Sequence, residues 1–473
     1  MSGADIGLVG LGTMGAALAL NIAEKGFGIA VWNRHAQVTR DFVAGAGPLA
    51  ARIVATESLA DLVAALKAPR AIILMVPAGP VVDEMVAALR PLLGARDMII
   101  DAGNANFHDT NRRMRDPAVG PFLGVGVSGG EEGARHGPAI MAGGPKPLWD
   151  RAAPILTAIS AKHQGEPCAA WMGEEGAGHF VKAVHNGIEY ADMQMIAEIY
   201  GILRDGQGMA APEIGGLFDG WNDGPLKSYL IEITGKVAAA VDPVGGGPML
   251  DAIRDAAGQK GTGRWTAIEA QNLGAAIPAI EAAVMARNLS ARIEERKAGE
   301  AIFGPAPRRL ATGLVGPGQL EQALIAGKIT CYAQGFAMIA AASGEFGWAL
   351  DLPAIARVWR EGCIIRSAML NDMAAALEGG GGQNLMFAPF FVDLMRQAEP
   401  DYRHVVAEAA RHGLAAPALA SGLAYFDLMR TGRGTANLIQ GLRDFFGAHG
   451  FERLDGTGGP GQHGPWHRDV SAI

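Results

Sequence analysis

The stretch "FVKAVHNGIEY" (180–190) carries Lys182, His185, Asn186 and Glu189, at offsets of three, four and seven residues. On an α-helix these offsets stack all four side chains on one face over two turns. Phe180, Val181, Val184 and Ile188 take the remaining faces. A base and an acid on one stripe, with an imidazole and an amide between them, are equipment for moving protons on a polar substrate. The competing reading is the solvated face of an amphipathic helix. Against it, a Lys–Glu pair at i, i+7 makes no helix salt bridge, and His and Asn add little helix propensity.

Other segments add polar and cationic groups. "GVSGGEEGARHG" offers Ser128, Gly129 and Gly130, a small-residue loop whose amides can hold an oxygen-rich ligand. "AAGQKGTGRW" sets Lys260 between glycines, with a flexible surface loop as the alternative; no Ser or Thr follows it as a Walker A loop requires. Arg287 interrupts the apolar run "VMARNLS", where a buried charge would need an anion. "RDFFGAHG" adds Arg443 and His449. Each could be a surface charge; together they form a surplus of cation suited to a phosphate or carboxylate.

The elements that must position these groups follow from periodicity. The first ~175 residues alternate short β-rich runs with helical segments, the βαβ rhythm of a parallel sheet covered on both faces. The clearest strands are "IGLVG" (6–10), "GIAVWN" (28–33), "AIILMV" (71–76), "MIIDAG" (98–103) and "FLGVGVS" (122–128). "IGLVGLGTMG" sets Gly10, Gly12 and Gly15 between the first strand and a helix, the context in which a G-x-G-x-x-G turn binds a dinucleotide. The first glycine permits the turn, the second admits the pyrophosphate and the third allows close packing. Leu11, Thr13 and Met14 complete this turn. A Gly-rich turn in another α/β fold is the bland reading.

The second strand ends in Asn33 and Arg34 where an NAD site usually has an acid. A guanidinium there favours a 2′-phosphate, hence NADP; the alternative is that Arg34 is a solvated surface residue. Met75, Val76 and Pro77, and further on Asn104, end later strands on the same edge.

From Gly176 to about residue 430 the chain is Ala-, Leu- and Met-rich with helical periodicity. The expected fold is an α/β Rossmann-like N-terminal domain (1–176), a large all-α domain (177–433) and an extended C-terminal tail (434–473). "LDGTGGPGQHGPWH" (454–467) cannot form a regular element and is ordered only if it docks on something.

The 473 residues, 49% hydrophobic and 19% charged, have a globular composition. A formal net charge of −8 argues against a general nucleic-acid binder but admits a small anionic ligand. Three scattered cysteines fit a reducing compartment and give neither a disulfide framework nor a metal site. No signal peptide and no stretch with the length and apolarity of a membrane span are expected, so the protein reads as soluble and cytoplasmic, with no membrane partner.

"GVSGGEEGARHGPAIMAGG", "GAGHFVKAVHNGIEYADMQMIAEIY" and "DAAGQKGTGRWT" resemble the signature segments of decarboxylating 6-phosphogluconate dehydrogenases, and the similarity runs from residue 5 to about 467. The resemblance implies a Rossmann-like domain, a helical domain, and a homodimer whose tail passes into the other subunit. It implies oxidation of 6-phosphogluconate at C3 by NADP⁺ and loss of C1 as CO₂ to give ribulose 5-phosphate, without a metal. It makes Lys182 the base at the 3-hydroxyl and Glu189 the acid that protonates C1. Those two groups lie about 10 Å apart along the helix. His185, Asn186 and Ser128–Gly130 match groups holding the substrate's carboxylate and hydroxyls. Tyr190, Lys260, Arg287 and, from the second subunit, Arg443 match the phosphate site, with His449 reaching in. Asn104 matches a residue touching cofactor and substrate, and Arg34 one against the 2′-phosphate.

The sequence departs from the family pattern at Pro77, where many relatives have lysine, and at His35, where threonine is common after Asn-Arg. His35 would add a titratable cation near the 2′-phosphate, so the Michaelis constant for NADP should rise between about pH 6 and pH 8. An unchanged profile in His35→Thr would end that idea. The competing functions are another β-hydroxyacid dehydrogenase, typically shorter, and a catalytically silent dinucleotide-binding regulator.

Overall fold

The computed structural model describes residues 3–259, 261–378 and 383–466. Two units emerge, one running to Gly422 and the other starting at Leu423.

The first unit begins with an eight-stranded sheet. Its strands are β1 (Ile6–Val9), β2 (Ile29–Trp32), β3 (Ile53–Ala55), β4 (Ala71–Leu74), β5 (Met98–Asp101), β6 (Phe122–Val127), β7 (Ile140–Gly143) and β10 (Ala169–Gly173). A separate two-stranded ribbon is formed by β8 (Lys162–His163) and β9 (Glu166–Pro167). The sheet order is β10-β7-β6-β5-β4-β1-β2-β3. From β3 to β6 all neighbours are parallel, in the order of a Rossmann sheet. The order reverses between β1 and β4, so their carboxyl ends flank the cofactor crevice.

Leu8, Ile73 and Ile100 pack into one apolar layer of the sheet, and Val9, Ile72 and Ile99 into the other. Burial on both faces explains why these strands read as continuous hydrophobic runs. Each such side chain contributes about 1.5–3 kcal/mol of transfer free energy.

The sheet is not wholly parallel as the sequence rhythm predicts: β7 runs antiparallel to β6. The chain turns sharply at Gly129 (φ 102°) and Gly137 (φ 149°) around one short helix, Gly130–His136. It thus re-enters the sheet at the end where β6 leaves, and no crossover carries it back along the strand.

Past β10 the chain is helical. The helix Ala177–Gly201 is buried along most of its 25 residues. It packs against β6 and β7 on one side and against the helices Thr262–Asn272, Pro278–Ser290 and Pro317–Phe346 on others. Glycines set the approach to the strands: a Cβ on Gly126 would lie 2.4 Å from the Lys182 Cβ, and one on Gly143 2.4 Å from the Gly178 amide.

The helix Pro317–Phe346 corrects the expectation that no stretch has the length and apolarity of a span: its 30 residues reach a windowed mean hydropathy of 1.3. The reason is its position in the core, with 89% of that window buried inside the protein.

In the second unit the tail is not extended throughout, since Ala436–Gly447 forms a helix. Leu438, Ile439, Leu442, Phe445 and Phe446 of this helix are exposed. The Gly/Pro-rich segment beyond it folds back through the bridge Phe451↔Gln462. It is gathered on the buried Asp444, whose carboxylate accepts from the Gly450 and Gly464 amides and the Trp466 indole.

Candidate active site

The stripe of the helix Ala177–Gly201 forms one connected cluster with the loop after β6. Lys182 Nζ donates to Ser128 Oγ at 3.0 Å and to Asn186 Oδ1 at 2.8 Å, and lies 3.4 Å from His185 Nδ1. Ser128 Oγ lies 3.3 Å from His185 Nε2, and His185 Nδ1 lies 3.0 Å from Asn186 Oδ1. The Trp359 ring meets the His185 ring edge-on, with centroids 5.7 Å apart. Lys182, His185, Asn186 and Ser128 are all buried, so the solvated-face reading of the stripe falls.

Burial sets the protonation states. It lowers the Lys182 pKa from the ordinary lysine value, and nearby Glu189 and Cys363 only partly offset it. Burial, with Lys182 adding, holds His185 well below the usual histidine range, so the ring is neutral. A neutral ring with Nδ1–H donating to Asn186 leaves Nε2 to accept from the Ser128 hydroxyl. Glu189 lies 3.8 Å from His185 Nδ1 and keeps 20% of its side chain exposed. Burial raises its carboxyl above the ordinary range against the pull of Lys182 and Arg287. A lysine pushed toward its neutral form and a carboxyl pushed toward its acid form are a matched base and acid.

Next along the helix, Tyr190 is buried and its ring receives the Arg287 guanidinium at 3.7 Å from the centroid. Arg287 is half-buried, not fully enclosed: the aromatic face supplies the partner that sequence reasoning sought in an anion. Gly263 lets the helix Thr262–Asn272 lie on that ring, since a Cβ there would come within 2.6 Å of it. Lys260 lies outside the described residues; the adjoining Gly261 caps that helix with φ 98°. Gly129 and Gly130 both take positive φ beside Ser128. Arg443 and His449 are exposed on the second unit, where Arg443 donates to Gln440 and His449 meets the Phe446 ring edge-on.

At the cofactor edge the glycine turn fits a dinucleotide on stereochemical grounds. A Cβ on Gly10 would sit 2.4 Å from the Met75 carbonyl, and one on Gly15 would sit 1.9 Å from the Gly10 carbonyl. A Cβ on Gly12 would meet nothing within 4 Å, so the turn presents bare backbone there. Gly12 is the N-cap of the helix Thr13–Glu24, which begins with Thr13 and Met14 and has no side-chain cap, leaving its first amides for an anion. Asn33 Oδ1 accepts from the Leu11 amide at 3.1 Å and so ties β2 to the turn. Arg34 and His35 are exposed, and among the described residues neither makes an ion pair. Met75, Val76 and Pro77 follow β4 directly, and Asn104 is exposed beyond β5.

Sequence reasoning missed Gly126, which admits Lys182, and Trp359 and Cys363, which wall its cluster. The alternating glycines of "FLGVGVS" were the available signal, because glycine inside a strand marks close backbone approach.

Two family models cover the chain: the NAD binding domain of 6-phosphogluconate dehydrogenase over residues 5–173, and the 6-phosphogluconate dehydrogenase C-terminal domain over 178–466. The chain belongs to the decarboxylating 6-phosphogluconate dehydrogenases. A Treponema pallidum relative named for that activity is 45% identical over 475 residues, covering 98% of this chain and 97% of its own. A Bacillus subtilis relative named as NAD(+)-dependent and decarboxylating is 44% identical over 460 residues, covering 96% of this chain and 98% of its own. Among solved structures, the Plasmodium falciparum 6-phosphogluconate dehydrogenase matches with a TM-score of 0.93 and 37% identity, over 98% of this chain and 100% of that one. That protein is known in an apo form, in complex with its cofactor NADP+ and in complex with its substrate 6-phosphogluconate.

Proposed function

We propose that this protein converts 6-phospho-D-gluconate to D-ribulose 5-phosphate and CO₂ with reduction of NADP⁺. The observation that carries the reading is the buried Lys182 Nζ on Ser128 and Asn186, with Glu189 seven residues along the same helix. A dinucleotide with its pyrophosphate at the glycine turn would supply a nicotinamide able to accept the hydride from C3. Neutral Lys182 takes the 3-hydroxyl proton as that hydride leaves. The resulting ammonium then donates to the 3-keto oxygen and stabilises the negative charge that develops there as the C1 carboxylate departs as CO₂. Glu189 delivers its proton to C1 of the enediol.

Asn104, Ser128–Gly130, His185 and Asn186 hold the sugar acid's hydroxyls and carboxylate. Tyr190, Lys260, Arg287, Arg443 of the partner subunit and the partner's His449 hold its phosphate. The division into residues 1–176 for cofactor, 177–433 for substrate and dimerisation, and 434–473 as an exchanged tail belongs to the same reading. The apolar residues left exposed on the helix Ala436–Gly447 support a homodimer in which they are covered. Three buried free thiols support a cytoplasmic location.

NADP is preferred to NAD on two features: Arg34 is exposed without an ion pair among the described residues, and no carboxylate ends β2. The NAD(+)-dependent relative means family membership alone does not decide this choice.

The test is turnover with 6-phosphogluconate and either NADP⁺ or NAD⁺. Equimolar reduced nicotinamide and trapped CO₂, with NADP⁺ the better substrate, is expected. No reduction, with NADPH still bound tightly, would point to the silent regulator or to a different hydroxyacid, and faster turnover with NAD⁺ would overturn the role of Arg34.

A further inference from the structure

Asp192 stands one turn beyond Glu189 on the helix Ala177–Gly201, an i, i+3 relation that puts both carboxyls on one face. Lys328, from the core helix Pro317–Phe346, forms an ion pair with Asp192 Oδ2, and the two side chains are 0% and 1% exposed. Asp192 Oδ1 has no hydrogen-bond partner among the described residues. Such a pair is a poor source of stability, because desolvating two charges offsets most of their attraction and apolar replacements are often neutral. Its position directly behind the acid calls for another explanation.

We propose that the buried Asp192–Lys328 pair positions Glu189 for its proton transfer at C1. Lys328 fixes the Asp192 carboxylate and the register of the two helices. Asp192 in turn holds a negative charge behind the Glu189 carboxyl, away from the substrate. The charged or titratable groups bearing on Glu189 are Lys182, the neutral His185 ring and Asp192 from its own helix and Arg287 from the helix Pro278–Ser290. Lys328 acts from behind, through Asp192. On the helix Thr262–Asn272, Gly263 lies against the neighbouring Tyr190 ring. Burial does most to raise the Glu189 carboxyl, two cations on the substrate side favour the carboxylate, and Asp192 is the charge that opposes those cations. Asp192 and Lys328 are positioning residues that touch no substrate.

The inference rests on the role proposed for Glu189, and the experiment separates the two. The full-length enzyme with NADPH and ribulose 5-phosphate in deuterated water is followed by NMR for exchange at C1. Hydride transfer from 6-phosphogluconate is measured separately by stopped flow. Loss of exchange in Glu189→Gln is required by the proposed function; retention there would sink that function and not the pair specifically. In Asp192→Asn/Lys328→Met, exchange should slow about tenfold with hydride transfer little changed; because Glu189 enters this direction as the carboxylate that takes the C1 proton, the fall of exchange at low pH should begin about one pH unit lower. Should the double variant not fold, Asp192→Glu keeps the pair, moves the carboxylate by one methylene, and should slow exchange selectively. Equal slowing of both steps, or a wild-type pH profile for exchange, overturns the proposal.

Discussion

Lys182 Nζ and Ser128 Oγ meet at 3.0 Å, although 54 residues separate them and one stands on a helix while the other follows a strand. That contact joins the helix Ala177–Gly201 to the carboxyl edge of the Rossmann sheet. It depends on Gly126, whose missing Cβ is the space Lys182 enters.

Gly126→Ala should therefore damage both stability and chemistry. Its methyl would lie 2.4 Å from the Lys182 Cβ and 2.9 Å from its Cγ. Overpacking of this kind costs about 1–3 kcal/mol. Denaturant melts should reveal that loss, and the kcat of the surviving folded enzyme should fall more than its KM changes. A variant of wild-type kcat would show that the close approach does not matter.

Arg34→Ala should raise the KM for NADP by about ten- to a hundredfold, the worth of one charge-assisted phosphate contact. The KM for NAD should stay within about twofold, since NAD has no 2′-phosphate. Equal effects on the two cofactors would remove Arg34 from the 2′-phosphate.

Arg287→Ala removes a guanidinium held 3.7 Å over the Tyr190 ring. Affinity for 6-phosphogluconate should weaken by about one to two orders of magnitude, with that for unphosphorylated gluconate little altered. Calorimetric titration of both ligands distinguishes a phosphate contact from a packing role.

Glu198 provides a pH test on the same helix. Burial lifts its carboxyl from 4.5 to about 7, against hydrogen bonds from the Leu419 and Ala418 amides and from Gln194. Its folded pKa is raised, so its contribution to stability is full below 4.5 and is lost as pH rises through about 7. The contribution amounts to about 3 kcal/mol at its fullest. Between pH 4.5 and 7 the wild type should lose stability relative to Glu198→Gln; parallel Tm curves would contradict the assignment.

The Rossmann strands were legible because each is an apolar run bounded by glycine and polar residues, and the glycine turn because its residue types are dictated by backbone geometry. The stripe from Lys182 to Glu189 was legible because helical spacing alone aligns it. The reversal of β7 was hidden, since it turns on the direction in which Gly129 and Gly137 send the chain. Trp359 and Cys363 gave no local sign, because they reach His185 and Lys182 respectively through tertiary packing from far along the chain. Arg287 was read as needing an anion because an aromatic partner 97 residues away leaves no mark on its own segment.

The central claim is that buried Lys182 is the base, and the burst of nicotinamide reduction on mixing enzyme, NADP⁺ and 6-phosphogluconate tests it most directly. In the wild type the burst rate should fall about tenfold per pH unit below an inflection lying under the ordinary lysine range, as burial requires. Lys182→Arg, which cannot surrender its proton, should still bind both ligands but lose the burst by about a thousandfold or more. A Lys182→Arg burst within tenfold of the wild type would contradict the account.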